Sequence, residues 1–170
     1  PCAVGDAAPT GSASPCREVM SDDLRRMHSA EHILTAVMRR LYGSPRNVEV
    51  HLGDKKTKCD FAVPHALGSD DARTIEDAVN AEIARDLRVT ISHISRRDAA
   101  NLDLSKVPGE AETIRVVRIG DLDALPCSGE HVASTREIGR FALKSHEMRS
   151  PVLVRIRFGL ESTNPPPAMQ

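Results

Sequence analysis

Leu24, Met27, Leu34, Val37, Met38 and Leu41 recur at the intervals that place side chains on one stripe of an α-helix. Ser21 stands where an N-cap belongs, Asp22 and Asp23 suit the positive end, Arg39 and Arg40 the negative end, and Gly43 is a natural stop. The pattern predicts a helix from Ser21 to Tyr42. The period then drops to two: NVEVHL and KTKCDFAV read as strands joined by a tight turn at Gly53 and Asp54. Ala72, Ile75, Val79 and Ile83 restore the helical period between Ser69 and Asp86, again with a serine cap and two aspartates in the first turn. VTISHI, TIRVVRI, IGRFALKS and VLVRIRFGL are extended, interrupted by a helical turn around DAANL and a break at Pro108 and Gly109. The last two form a hairpin, with the polar run from His146 to Ser150 as its turn. Together these elements predict an α+β fold, a two-layer domain with a largely antiparallel sheet packed with helices.

PCAVGDAAPTGSASP at the start and STNPPPAMQ at the end lack apolar periodicity, so residues 1–20 and 162–170 are expected to be flexible tails around one domain at 21–161. With three Phe, one Tyr and no Trp, the core must be aliphatic, and stacking of bases on aromatic platforms is disfavoured. A formal net charge of −1 supplies no global field for nucleic acid, which argues against DNA and confines any RNA contact to local patches. Arg25, Arg26, Lys55 and Lys56 are the first candidates, followed by Lys58, Arg39 with Arg40, and Arg96 with Arg97. No apolar run approaches the ~20 residues that span a bilayer, and no secretory signal is legible, so a cytoplasmic protein without membrane contact is expected. Cysteines 2, 16, 59 and 127 show no compact disulfide spacing and read as free thiols or metal ligands, Cys59 as a small buried hydrophobe.

Two short segments carry the chemistry. RMHSAEHIL places His28 and His32 one turn apart on the first helix, and LPCSGEHV places Cys127 and His131 at the same spacing in a turn-rich stretch. Either pair alone is compatible with structural residues. Two matched pairs of nitrogen and sulfur donors, in a chain with seven His and four Cys, point to one tetrahedral zinc site. His65, His93 and His146 have no such partner nearby and read as surface or turn residues.

RMHSAEHIL followed about a hundred residues later by CSGEHVASTREIG resembles the editing domain shared by alanyl- and threonyl-tRNA synthetases, most closely the free-standing AlaX-type trans-editing proteins. VEVHLGDKKTKCDF, IEDAVNAEIARDLRV and RVVRIGDLDALPC resemble that domain's hairpin, second helix and strand before the cysteine, so the likeness covers residues 24 to 160. It implies hydrolysis of a wrongly attached amino acid from the acceptor end of tRNA, Ser-tRNA(Ala) first and Gly-tRNA(Ala) second. One zinc per chain would sit on His28, His32, Cys127 and His131 and supply the catalysis. The chain's length points to the small AlaX class. Between its ligands the family shows Cys-Gly-Gly-Thr-His where this chain has Ser128 and Glu130, and Glu31 replaces the usual Thr or Ala. Glu31 and Glu130 are candidates for a general base or for pairing with the substrate's ammonium, against a reading as exposed charges. Thr35, His51 and Gly129 are candidates for the amino acid pocket. A catalytically silent, zinc-stabilised RNA-binding module, or a metallohydrolase acting on another aminoacyl ester, remain the competing readings.

Overall fold

A computed structural model describes residues 20–161, so the tail readings of 1–19 and 162–170, with Cys2 and Cys16, lie outside the described residues. Helix α1 spans Asp22–Tyr42; Ser21 accepts the Leu24 N–H at 3.1 Å, and Gly43, at φ 68°, closes the helix by donating to Arg39 O at 3.0 Å. The left-handed conformation of Gly43 is one that a side chain would strain. Strands β1 (Asn47–His51) and β2 (Thr57–Ala62) follow, then α2 (Ser69–Ala84), β3 (Val89–Ser95), β4 (Thr113–Ile119), β5 (Asp123–Pro126), β6 (Arg140–Ser150) and β7 (Leu153–Glu161).

All strand pairings among the described residues are antiparallel, but they form two sheets: β1-β2-β7-β6 and β3-β4-β5. The fold is α+β, with α1 and α2 packed on one face of the four-stranded sheet. Cys59, Phe61, Val154, Ile156 and Phe158 line that face and meet Ile33, Leu34, Val37, Ile75 and Val79, all buried. The Phe141 and Phe158 rings stack at 4.8 Å within this cluster. The smaller sheet has its own cluster of Ala99, Ile114 and Val116, which holds down the long β3–β4 connection through Leu102, Leu104 and Val107.

Several boundaries differ from the pattern's prediction. His146–Ser150 belongs to β6, and the hairpin turns at Pro151 and Val152 instead. The polar run alternates between half-buried His146, Met148 and Ser150 and exposed Glu147 and Arg149, a strand whose outer face meets water. Strand β5 and a 3-10 turn at Thr135–Ile138 lie in stretches read as irregular or extended. Helix α2 is capped at Gly68, whose N–H is taken by Asp71 Oδ2 at 2.8 Å, and it ends at Ala84, before Asp86 adopts φ 53°.

Candidate metal centre

On α1, residues 28, 31, 32 and 35 fall within one arc because steps of three, four and seven residues return to nearly the same bearing. The loop after β5 brings Cys127 and His131 onto this arc. His28 Nε2 and His131 Nε2 each stand 3.5 Å from Cys127 Sγ, and the four donor atoms, His32 included, lie within 4.8 Å of one another. Neighbouring donors around a tetrahedral zinc, with nitrogens at about 2.0 Å and sulfur at about 2.3 Å, are separated by about 3.3–3.6 Å. Two of the donor pairs stand at that separation, and three imidazoles with a thiol are a donor set that suits zinc.

Contacts around the donors fix which nitrogens face inward. His28 Nδ1 lies 3.2 Å from the Glu130 carbonyl, which can only accept, so Nδ1 carries the hydrogen and Nε2 its lone pair. Ser29 Oγ donates to Arg25 O at 2.8 Å, accepts the Val132 N–H at 3.1 Å and meets His131 Nδ1 at 3.3 Å. With its proton committed to Arg25, the hydroxyl accepts from His131 Nδ1, and the Nε2 of that ring also points inward as a base. Orienting bonds of this kind commonly surround metal-ligating histidines. Ser29 escaped the sequence reading, although a serine buried mid-helix between two ligands, back-bonded to the residue four before it, was its available signal.

Burial, more than any neighbouring charge, keeps these imidazoles neutral. It holds His28 below the usual histidine range, His32 well below it, and His131 down to about 3, with facing imidazoles reinforcing the shift of the last two. Burial also pushes the Cys127 thiol up, with the Gly129 N–H opposing it; a bound cation reverses that preference. The loop itself is anchored to β4, where Cys127 N donates to Arg115 O at 3.1 Å and the Arg115 guanidinium donates to Cys127 O. Gly129 passes so close to α1 that an added Cβ would lie 2.2 Å from His28 Cε1.

A cavity of about 170 Å³ opens beside the cluster, walled by His28, His32 and Cys127 and floored by Glu31, Thr35 and Asn47. Glu31 is buried. Its Oε1 accepts from Thr35 Oγ1 at 2.7 Å and from the Asn47 amide, whose Oδ1 accepts from Lys106 Nζ at 3.0 Å. Burial raises the Glu31 carboxyl above its ordinary range, and the two donors pull it back. The reading of Glu31 as an exposed charge is corrected by its burial: it lies three residues after His28 and so on the same face of α1. Glu130 contributes its carbonyl, while its carboxylate is half-exposed, 3.9 Å from Arg25.

The remaining candidates stand elsewhere. Val50 lines the cavity, whereas the exposed His51 lies 3.3 Å from Glu49 and lines a separate groove with Lys56. Arg25 pairs with Asp22, and Arg26 donates to Ile138 O and pairs with Asp23. Lys55 and Lys56 are exposed at the β1–β2 turn.

Residues 114–157 match the family described as the threonyl and alanyl tRNA synthetase second additional domain. The alanyl-tRNA editing protein AlaX-L of Pyrococcus horikoshii is 36% identical over 138 residues, which is 78% of this chain and 33% of that protein. Alanine–tRNA ligases of Treponema denticola and Treponema pallidum are 28% and 29% identical, over 83% and 80% of this chain but only 24% and 23% of their own. The chain thus spans about a quarter to a third of the length of the curated relatives it matches. No helix among the described residues is long and apolar enough to cross a membrane. The sequence match, covering β4 to β7, and the convergent donors of α1 and the β5 loop point the same way: the chain is similar to this second additional domain and to an alanyl-tRNA editing protein of the AlaX type.

Proposed function

We propose that the domain at 21–161 hydrolyses the ester linking a wrong amino acid to the 3′ end of tRNA, acting in the cytoplasm on Ser-tRNA(Ala) first and Gly-tRNA(Ala) second. The observation that carries this reading is the convergence of four donors, three of which, His28, His32 and Cys127, wall a small cavity with a polar floor. One zinc per chain, on His28, His32, Cys127 and His131, would polarise the ester carbonyl or lower the pKa of a water toward about 7. The protein's own groups do the rest. The Glu130 carbonyl and Ser29 hydroxyl hold His28 and His131 with their Nε2 lone pairs inward. Glu31 spends Oε1 on Thr35 and Asn47, and among the described residues no hydrogen bond engages Oε2 at the cavity floor. That oxygen and the Thr35 hydroxyl are the groups we assign to a serine hydroxyl or an α-ammonium. A synthetic site for alanine rejects serine poorly, and a second site that rewards a hydroxyl with a hydrogen bond is the physical remedy.

The test is deacylation of Ser-, Gly- and Ala-tRNA(Ala) and of Ser-tRNA(Thr), with and without chelator. Chelator-sensitive release of serine from tRNA(Ala), with Ala-tRNA(Ala) spared, is the expected result. A complete set of four protein donors is also what a closed structural zinc has. That favours one competing reading, a zinc-stabilised RNA-binding module. Bound zinc with no hydrolysis of any of the four substrates would favour it over the deacylase.

A further inference from the structure

The outer face of the four-stranded sheet carries an unusual arrangement of charge. Register places His51 opposite Lys58 and Lys58 opposite Arg157, so one row across β1, β2 and β7 presents an imidazole and two cations. Like charges directly opposite on adjacent strands destabilise a sheet. The adjoining row relieves Arg157 in part and leaves the lysine without an ion pair among the described residues. Asp60 is taken at both oxygens by Arg155, at 2.6 and 2.7 Å, and Glu49 lies 3.3 Å from Arg155. Glu147 accepts from Arg157 at 3.0 Å and from Arg149 at 3.2 Å, so one carboxylate serves two guanidiniums. Lys58 and Lys56 make no ion pair within 4.0 Å among the described residues. Together with His51, Leu52 and Arg157 they line a groove of about 350 Å³. In a chain of formal net charge −1, this is an excess of cations held in one concavity.

Strand β1 separates that groove from the catalytic cavity: Val50 lines the cavity and the next residue, His51, lines the groove. We propose that the groove is the phosphate-binding track of the RNA strand whose terminal ester enters the cavity, with Lys56, Lys58 and Arg157 on the backbone phosphates. The choice of RNA rests on the deacylase reading above. Arg25 and Arg26, beside His131, are the rival track, but their charge is already met by Asp22, Asp23 and the Ile138 carbonyl. A phosphate there would have to displace the ion pairs of both arginines, whereas of the groove's lysines and arginine only Arg157 is paired, with Glu147, and a phosphate on Lys56 and Lys58 would relieve a repulsion.

The test is binding of a non-aminoacylated RNA hairpin with a single-stranded 3′ end to the full chain with its metal, followed by fluorescence anisotropy at several salt concentrations. The double variant Lys58→Gln/Arg157→Gln is expected to bind about tenfold more weakly at low salt, its log–log salt slope shallower by about 1.4 for the two lost contacts. Arg73→Gln, on the exposed side of α2, is expected to leave both unchanged. Lys58→Gln alone should keep or raise the thermal midpoint while weakening binding, which a merely structural lysine would not do. An unchanged slope in the double variant overturns the proposal, as does a slope lowered by Arg25→Gln instead, or no RNA binding by the wild-type protein. Hydrolysis is read separately. Wild-type protein that binds the hairpin through the groove but deacylates nothing would sink the enzymatic reading and leave the groove standing.

Discussion

His28 and His32 owe their alignment to a single turn of α1, whose cap, stop and buried stripe are all local. Cys127 and His131 sit in a loop that no periodicity orders, and they are aimed by bonds to distant residues: Arg115 on β4 and Ser29 on α1. One half of the centre is positioned by backbone geometry, the other by a few side chains and by the absence of one at Gly129. The helical half should therefore tolerate loss of a peripheral contact, and the loop half should not.

Removing a donor tests where the halves converge. His32→Ala and Cys127→Ala are each expected to lose stoichiometric zinc and about a thousandfold in deacylation, with retained far-ultraviolet dichroism; metal analysis beside single-turnover kinetics checks this. The next largest effect lies in the loop. Gly129→Ala puts a methyl group into the His28 ring, so zinc affinity is expected to fall about a hundredfold by chelator competition. Ser29→Ala should cost about tenfold in zinc affinity, because His131 Nδ1 loses its acceptor. It also leaves the buried Val132 N–H unpaired, at about 1–3 kcal/mol in urea unfolding.

Acid should weaken the chelator-treated protein before it touches the rest of the fold. His131 titrates near 3 when folded and about 6.5 when unfolded, so only the unfolded chain gains the proton between those values. The histidine cluster's contribution is complete above pH 6.5 and declines as pH falls toward 3; unfolding midpoints at pH 7.5 and 5.5 should differ in that direction. The smallest effect belongs to the helical half: Ser21→Ala should cost about 1 kcal/mol of stability and leave zinc affinity unchanged.

What could be read from the sequence divides along the same line. The helices, the β1–β2 hairpin and the spacing of all four donors follow from period, caps and turn residues, which are local signals. Ser29, Asn47 and Lys106 matter through contacts across 102, 16 and 59 residues, and no local pattern encodes those. The His146–Ser150 strand was hidden because its outward residues are charged, and short β5 because it ends on a proline. The burial of Glu31 had no local signal either, since it depends on Asn47 arriving from β1.

Cys127 joins His28 across 99 residues of chain. At ribosomal rates of about 5–20 residues per second, the first two imidazoles emerge roughly 5–20 s before the thiol that completes their set. A nascent chain thus presents only two of the four donors until the β5 loop is made, and strands β6 and β7, half of the sheet beneath α1, come later still.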